Sequence, residues 1–327
     1  MCLAACSGGQ DSGRYEMLCS LILDENSDWY KGMARWKELV EQRSKGRVRM
    51  TIHTRASLAS GNQRTERDFL RQGVLHAVLQ SNLLLYDLDH RWGVFSLPWL
   101  FPDYKTANAV CDGPVGQEML AALEHSGITG LAFGVNGFRQ LTNNKRPIES
   151  LDDMKGLNVR VPGAMYIPIF RAMGADPSQM SFGELFLALR QGAMDGQENP
   201  VSVILSSRLY EVQPYLTKWD YSFDCLVLCV NTEFFRKLPA DLQELLRQCA
   251  KEAMAYQRAA VEESERRGLD ALKNKGVKVT TLAPDALGRF KAAMATLDDD
   301  FAKDFGEDLV RRCRAAAAKA VSGPAQQ

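Results

Sequence analysis

Arg160 is the residue of this chain best suited to binding an anion. It lies in the sequence Leu-Asn-Val-Arg-Val-Pro, residues 157–162, whose apolar character predicts a short strand that ends at the proline. A guanidinium in such a strand is costly to bury without an anionic partner, and its planar set of donors fits a carboxylate through two parallel hydrogen bonds. The partner is therefore either a carboxylate of the protein, such as Glu184 or Asp195, or a ligand.

Two further polar residues could contact the same anion. Arg139 follows an apolar strand at a predicted crossing between two lobes, and the alternative is an exposed charge at a hinge. Asn199 ends a compact polar turn predicted for residues 195–200, and its amide can complete the hydrogen bonds of a carboxylate. The alternative for Asn199 is simple turn chemistry before Pro200. Neither residue alone predicts a ligand.

The sequence contains no recognisable catalytic machinery. It has no GxSxG, P-loop, HExxH or GxGxxG motif. The neighbouring carboxylates at residues 152–153 and 298–300 are expected at solvated helix starts. The four histidines are scattered, and the eight cysteines lack the spacing of a metal site. We therefore predict a protein without catalytic residues, metal or cofactor.

The composition excludes two classes of partner. The 327 residues suffice for two lobes with their own cores. Forty basic and forty acidic residues cancel, so no basic surplus indicates nucleic acid or an anionic membrane. Most cysteines are expected to be small buried hydrophobes. Cys225 and Cys229 lie four positions apart on one predicted strand, about 13 Å, which is too far for a disulfide between them.

The N-terminus contains a candidate lipidation site. Residues 3–9, Leu-Ala-Ala-Cys-Ser-Gly-Gly, resemble the lipobox of bacterial lipoproteins, in which the cysteine, here Cys6, is lipidated. Residues 8–13 would then form a flexible tether. Only five residues precede Cys6, so the charged and apolar regions of a signal peptide do not precede it; a chance run of small residues is the alternative. This interpretation predicts a periplasmic protein whose one membrane contact is a lipid anchor.

Strands and helices alternate along the chain, which predicts an α/β fold with parallel strands. In open α/β sheets, ligands bind beyond the carboxyl ends of strands, and Arg160 lies at the carboxyl end of its strand. The predicted strands cover residues 17–23, 48–52, 74–79, 128–135, 157–161 and 226–230. The predicted helices cover residues 29–40, 105–112, 115–125 and 164–173, a helix from 182, and most of the chain after 240.

Several motifs occur together in a characteristic order. They are SLPWLF at 96–101, NGFR at 136–139, GLNVRVP at 156–162, MGADP at 173–177, FGELF at 182–186 and DGQENP at 195–200. With them the chain resembles, from about residue 16 to beyond 300, the DctP-like solute-binding subunits of TRAP (tripartite ATP-independent periplasmic) transporters. The resemblance implies a two-lobed, periplasmic-binding-protein-like α/β fold with a cleft between the lobes and a long helix spanning both. The predicted division of the chain is residues 1–15 as lipobox remnant and tether, 16–136 and about 225–263 as lobe one, and 137–224 and about 264–320 as lobe two.

The resemblance also implies roles for single residues. Arg160 corresponds to the arginine that forms an ion pair with the ligand carboxylate, and Arg139 to a second arginine that assists it. Asn199 corresponds to an amide that contacts the same carboxylate. Phe182 corresponds to a ring that packs on the ligand body, and Ser81 to a first-lobe position that faces the ligand.

The other end of the ligand is less defined. Trp219 and Asp220 lie where many members of the family carry Asn or His. We expect Trp219 to stack on the ligand and Asp220 to accept hydroxyl hydrogens. The polar loop 61–66 is expected to contribute from lobe one, because loops at a cleft mouth carry function; its candidates are Asn62, Gln63 and Glu66.

The function implied by the resemblance is that of an extracytoplasmic receptor. It would bind a small organic acid, which is a C4-dicarboxylate, a hydroxy or keto acid, or a sugar acid, and deliver it to TRAP membrane subunits. The polar loop and Asp220 favour a hydroxylated ligand or one with a second carboxylate. Two alternatives stay open: a sensory module that feeds a signalling partner, and an enzyme that uses the same arginine to position an acid.

Overall fold

The computed structural model describes residues 13–322, so the predicted lipidation at Cys6 lies outside the described residues. Within them the chain forms ten strands and thirteen α-helices. The strands are β1 (Tyr15–Ser20), β2 (Val48–His53), β3 (Ala77–Ser81), β4 (Ile128–Asn143), β5 (Asn158–Val161), β6 (Asp176–Gln179), β7 (Gly196–Pro200), β8 (Tyr215–Lys218), β9 (Phe223–Asn231) and β10 (Lys278–Thr281). The helices are α1 (Asp28–Arg43), α2 (Gln63–Arg71), α3 (Asn82–Leu85), α4 (Tyr104–Asp112), α5 (Pro114–Ala122), α6 (Tyr166–Ala172), α7 (Phe182–Arg190), α8 (Val201–Ser206), α9 (Thr232–Lys237), α10 (Ala240–Asn274), α11 (Pro284–Ala295), α12 (Asp298–Phe305) and α13 (Glu307–Ser322). None of these helices is long and apolar enough to cross a membrane.

The strand β4 connects two sheets and so joins the two lobes. Its residues 128–138 pair with β9, and the first lobe's sheet continues through β3 and β1 to β2. Its residues 139–143 pair with β7 and β8, and the second lobe's sheet continues through β5 to β6. The pairing slips between Val135 and Gly137. Gly137 has a φ of +134° and lies against Pro200, where a Cβ would come within 2.9 Å of a side-chain carbon. Glycine therefore allows the strand to change sheets just before Arg139.

The helix α10 packs along both lobes. Its 35 residues extend over about 52 Å at 1.5 Å per residue. It contacts α1 and β4 in the first lobe and α8 in the second. Where it passes the crossing strand, the Gln257 side chain bonds both the backbone N–H (2.9 Å) and the carbonyl (2.7 Å) of Val135. The predicted α/β fold with a cleft between two lobes and a long helix is confirmed.

The prediction of parallel strands is wrong for the centre of the sheets. The pairs β3/β9, β4/β9, β4/β7 and β4/β8 are antiparallel, and only the outer pairs are parallel. An apolar run shows that a strand is buried on both faces. It does not show the direction of the strand, so the error could not be detected from the run alone.

The polar turn predicted at residues 195–200 is also wrong, because residues 196–200 form the buried strand β7. Its polar side chains are stable there since each has a partner. Gln197 donates to the Thr142 hydroxyl (2.8 Å), and Glu198 forms an ion pair with Arg139. A buried strand can thus have a polar sequence when the partners lie on neighbouring strands.

The C-terminal helices lie elsewhere than expected. Residues 264–320 were predicted to belong to lobe two, but α13 packs against α4 and α5 of the first lobe. Phe305 lies against Gly93, where a Cβ would come within 2.5 Å of the ring. An ion pair between Arg312 and Glu118 (2.7 Å) adds to the contact. The chain therefore returns to the first lobe after α11. The six cysteines within residues 13–322 are free and buried.

Candidate ligand-binding site

A narrow cavity lies between the two lobes, beside the ends of β3, β5 and β7. The volume open to the centre of a water molecule is about 20 Å³, which is enough for about one water. An organic acid therefore needs the lobes to separate before it can enter. The cavity brings together six of the ten predicted binding residues, namely Arg160, Arg139, Asn199, Phe182, Ser81 and Gln63.

Arg160 is buried in this cavity, and no residue of the described range 13–322 forms an ion pair with it. Its residue is only 1% exposed. Its Nε and Nη2 both donate to the Met180 carbonyl, at 2.9 and 2.7 Å, and within residues 13–322 these are its only side-chain hydrogen bonds. Burial lowers the pKa of Arg160 to about 9, and the charge of Glu198 opposes this shift. The Phe182 ring lies 5.9 Å from the guanidinium carbon.

The two protein carboxylates considered as partners of Arg160 are engaged elsewhere or exposed. Asp195 pairs with Lys145 (2.9 Å) and accepts from the backbone N–H of Asn158 (3.0 Å). Glu184 is exposed in the first turn of α7. Neither of these two carboxylates therefore forms an ion pair with Arg160.

Arg139 differs because its charge is matched inside the protein. It forms ion pairs with Glu198 and Asp224, and its Nη2 also donates to Asn199 Oδ1 (3.1 Å). Burial disfavours its charge, but the two carboxylates outweigh this and raise the pKa of Arg139 above its usual value. Burial also raises the pKa values of Glu198 and Asp224, against the opposing charge of Arg139. Arg139 therefore holds a buried charged network beside Arg160.

Asn199 is part of the same network. Its Oδ1 accepts from Arg139, and its Nδ2 donates to Gln197 Oε1. Tyr221 donates to the Glu198 carboxylate (3.0 Å). Asn199 thus lines the cavity while both ends of its amide have protein partners.

The first-lobe wall of the cavity converges on Asp224. Ser81 donates to Asp224 Oδ1 (2.7 Å), and Asn136 Nδ2 donates to Asp224 Oδ2 (2.8 Å). Trp29 Nε1 in turn donates to Asn136 Oδ1 (2.8 Å). Of these four residues, sequence reasoning predicted only Ser81. Asp224 carried a usable signal, since it is a charge in the apolar strand Phe-Asp-Cys-Leu-Val, just as Arg160 is.

The residues of the polar loop lie in three different places. Gln63 lines the cavity. Asn62 caps α2, since its Oδ1 accepts from the backbone N–H groups of Arg64 (2.9 Å) and Thr65 (3.2 Å). Glu66 is 1% exposed, accepts from the Ser20 hydroxyl and lies outside the cavity lining. Burial raises the pKa of Glu66 to about 8.

Trp219 and Asp220 lie apart from the Arg160 cavity. Trp219 packs in the core against Phe170, Tyr221 and Phe290. Asp220 lines a separate groove of about 640 Å³ between α10 and the strands β4 and β8. There it pairs with Lys218 and accepts a hydrogen bond from Gln140 (2.6 Å).

Direct contacts join the two lobes at the cleft mouth. Ser181 in the second lobe donates to the Gly61 carbonyl in the first (3.0 Å). Gly183 lies so close that a Cβ there would come within 2.5 Å of the same carbonyl oxygen. Arg64 reaches across to the Pro162 carbonyl (3.2 Å). These contacts describe a closed arrangement.

Two lobes joined by the strand β4, with Arg160 buried in the cleft and without a carboxylate partner in residues 13–322, have the architecture of a solute-binding protein. The chain belongs to the DctP family of bacterial extracellular solute-binding proteins, family 7, whose family model matches residues 19–304. The predicted family resemblance is confirmed.

Three known proteins illustrate the similarity. The C4-dicarboxylate-binding periplasmic protein DctP of Rhodobacter capsulatus is 30% identical over 292 residues, 88% of this chain and 87% of that protein. The solved structure of a TRAP periplasmic solute-binding protein from Ralstonia eutropha H16, with bound (S)-2-acetolactate, has a TM-score of 0.89 and 37% identity, covering 93% of this chain and 99% of that one. The sugar acid binding protein DctPAm of Advenella mimigardefordensis, in complex with galactonate, has a TM-score of 0.91 and 31% identity, covering 94% and 99%.

Proposed function

We propose that this chain is an extracytoplasmic receptor that binds an organic acid anion through Arg160 and delivers it to a TRAP membrane transporter. One observation carries the proposal: Arg160 is buried between the lobes, and its side chain donates to a single acceptor within residues 13–322, the Met180 carbonyl. A buried cation of this kind is unfavourable until an anion pairs with it. The ligand carboxylate would provide that anion.

Binding and closure act together in this mechanism. The acid enters while the lobes are apart, and its carboxylate meets Arg160 on the second lobe. Closure then brings the first-lobe wall onto the ligand and excludes water, which strengthens the ion pair. The contacts of Gly61 with Ser181 and Gly183 would hold the lobes together.

Arg139 and Asn199 act differently from Arg160 in this proposal. Arg139 keeps its ion pairs with Glu198 and Asp224, so it fixes the shape and charge of the pocket. Its Nη1 has a single acceptor within residues 13–322, the Asp224 carboxylate, so one N–H of that nitrogen can still reach a ligand oxygen. Phe182 would cover the ligand body beside Arg160.

The relatives support transport over catalysis. Both solved structures described above hold an organic acid, and one is described as a TRAP solute-binding protein. The two carboxylates beside the cavity, Glu198 and Asp224, are held by Arg139 rather than left free as an acid and a base. We therefore propose a receptor that leaves its ligand unchanged, works in the periplasm and, through Cys6, is anchored to a membrane.

Titration calorimetry against a panel of hydroxy, keto, sugar and C4-dicarboxylic acids tests the proposal. We expect Arg160→Ala to weaken binding of the tightest acid by about 3–5 kcal/mol. Arg171→Ala, which removes an exposed arginine from α6 of the same lobe, serves as the control and should bind normally. Equal affinity of Arg160→Ala and the unchanged protein would refute the assigned pocket.

A second measurement separates the receptor from the enzyme. The acid that binds is incubated with the protein and followed by NMR, and we expect its spectrum to stay constant. Steady conversion of the acid would instead favour catalysis. A ligand-dependent complex with TRAP membrane subunits in a pull-down distinguishes transport from sensing by another partner.

A further inference from the structure

The charges of the cavity are distributed unevenly between its two walls. Among the described residues that line it, three are charged: Arg139, Arg160 and Asp224. Arg139 is already paired with Asp224 and with Glu198 behind it. Arg160 is therefore the one cation of this lining that has no carboxylate partner in residues 13–322. The cavity offers one site for one carboxylate.

The first-lobe wall, opposite Arg160, centres on the Asp224 carboxylate. Ser81 and Asn136 each donate one hydrogen bond to Asp224, and Trp29 donates one to Asn136. Asp224 Oδ1 accepts one hydrogen bond, from Ser81, and a carboxylate oxygen has two acceptor positions. Asp224 can thus accept one further donor.

Gln63 is the second group available on this wall. Its side chain makes no hydrogen bond within the described chain, whereas its backbone carbonyl accepts from Gln80 (3.1 Å). An amide can both donate and accept. A ligand hydroxyl meets both requirements, because it can donate to Asp224 and accept from Gln63.

Building on the proposed function, we infer that this receptor selects hydroxylated monocarboxylates and rejects dicarboxylates, with Asp224 as the selecting residue. The carboxylate pairs with Arg160, and a hydroxyl at the far end of the ligand donates to Asp224. The inference concerns the class of acid and leaves its chain length open.

A second carboxylate at the far end meets no cation of the described cavity lining that lacks a carboxylate partner, because Arg139 is already paired with Glu198 and Asp224. An ionised carboxylate only accepts hydrogen bonds, so it cannot satisfy Asp224, and two like charges placed together across an interface cost several kcal/mol. Arg64, a further cation at the cleft mouth, pairs with Asp87 (2.7 Å) and lies outside the cavity lining. A dicarboxylate would therefore bury an uncompensated charge against Asp224.

Pairs of acids that differ only at the far end test this inference. Erythronate and meso-tartrate share a four-carbon skeleton and differ by a terminal CH₂OH or carboxylate, and galactonate and galactarate form the same pair with six carbons. We expect the monocarboxylate of at least one pair to bind about 100-fold more tightly than its dicarboxylate, from the cost of like charges. Tighter binding of either dicarboxylate than of its partner, or binding confined to acids without a hydroxyl, overturns the inference.

The variant Asp224→Asn removes the negative charge at constant size. We expect it to reduce the preference for the monocarboxylate at least about tenfold, because the repulsion is gone. Glu184→Gln removes an exposed negative charge near Arg160 outside the cavity and should leave the preference unchanged. An unchanged preference in Asp224→Asn overturns the role of this residue, and if that variant fails to fold, the ligand pairs on the unchanged protein still decide the inference.

The outcomes also separate this inference from the proposed function. If dicarboxylates bind and Arg160→Ala abolishes their binding, the proposed receptor function stands and only the selectivity is wrong. If no acid of the panel binds, the receptor function itself fails.

Discussion

Arg160 and Arg139 line the same cavity, but only Arg139 has carboxylate partners within the described chain. Glu198 and Asp224 both pair with Arg139, whereas the Met180 carbonyl is the one acceptor of the Arg160 side chain among the described residues. The two buried guanidinium groups therefore make opposite contributions. We therefore expect Arg139 to stabilise the ligand-free fold and Arg160 to destabilise it, because the charge of Arg160 stays unmatched until a ligand binds.

This contrast predicts that Arg160→Met stabilises the ligand-free protein. The substitution removes a buried charge without an ion pair, and apolar replacements of buried charged groups are often stabilising by about 1–4 kcal/mol. Loss of the two bonds to Met180 offsets part of this gain. Chemical denaturation should show a higher free energy of unfolding, and the ligand should no longer raise the melting temperature.

Arg139→Met is the matched variant and should have the opposite effect. It leaves Glu198 and Asp224 buried without a cation, so we expect a loss of about 3–5 kcal/mol of unfolding free energy. If both variants change stability in the same direction, the different pairing of the two arginines does not govern their energetics.

The sequence predicted the second-lobe part of this site better than the first-lobe part. Arg160 and Phe182 belong to short motifs in which local order along the chain reflects position in the cavity. Trp29, Asn136 and Asp224 lie far apart in sequence and meet only because β9 returns beside β4. Contacts of this kind depend on strand order and direction, which the apolar runs did not determine.

The prediction of helices and strands likewise succeeded where local sequence decides the structure and failed where distant partners decide it. Helix α1 covers the helix predicted for residues 29–40. The strand at 196–200 was missed because its polar residues find their partners on β4 and at Tyr221, which are distant in sequence. The return of α13 to the first lobe likewise rests on packing against α4, which no local pattern reports.

Gly183 is predicted to be required for full closure of the lobes. A Cβ at this position would lie 2.5 Å from the Gly61 carbonyl oxygen, and this neighbour is backbone that cannot rotate away. We expect Gly183→Ala to weaken ligand binding about 10- to 100-fold, because overpacking of this kind costs about 1–3 kcal/mol. Small-angle scattering should show a larger radius of gyration in the presence of ligand than for the unchanged protein.

Gly288→Ala provides the matched control for this variant. Gly288 also lies within a helix, and a Cβ there meets no atom within 4 Å. Affinity and radius of gyration should both stay unchanged. Normal closure of the Gly183→Ala variant would show that the backbone around Gly61 rearranges at no measurable cost in free energy.

Glu66 is predicted to make stability depend on pH. Burial raises its pKa from an ordinary 4.5 to about 8, so between these values the folded protein retains a proton that the unfolded chain releases. Its contribution to stability is complete below about pH 4.5 and is lost as pH rises through 8. We expect the unfolding free energy of Glu66→Gln, relative to the unchanged protein, to rise by about 1.4 kcal/mol per pH unit between pH 5 and 8.

Denaturation curves at several pH values measure this difference. Glu38→Gln, at an exposed position of α1, should differ from the unchanged protein by a constant amount over the same range. If the difference in unfolding free energy between Glu66→Gln and the unchanged protein stays constant with pH, the Glu66 carboxyl is ionised in the folded protein at neutral pH.

Asp220 is predicted to affect stability but not binding. It was expected in the ligand site, yet it lies in the groove beside α10, where it pairs with Lys218 and accepts from Gln140. Asp220→Asn suits the test because Asn tolerates the left-handed backbone found here, with a φ of +47°. Loss of the ion pair and of one charged acceptor should lower the free energy of unfolding by about 1 kcal/mol. Calorimetry should give a ligand affinity within about twofold of that of the unchanged protein, because substitutions at surface positions remote from a site rarely couple to it. A tenfold loss of affinity at unchanged stability would mean that Asp220 reaches the ligand when the lobes are open.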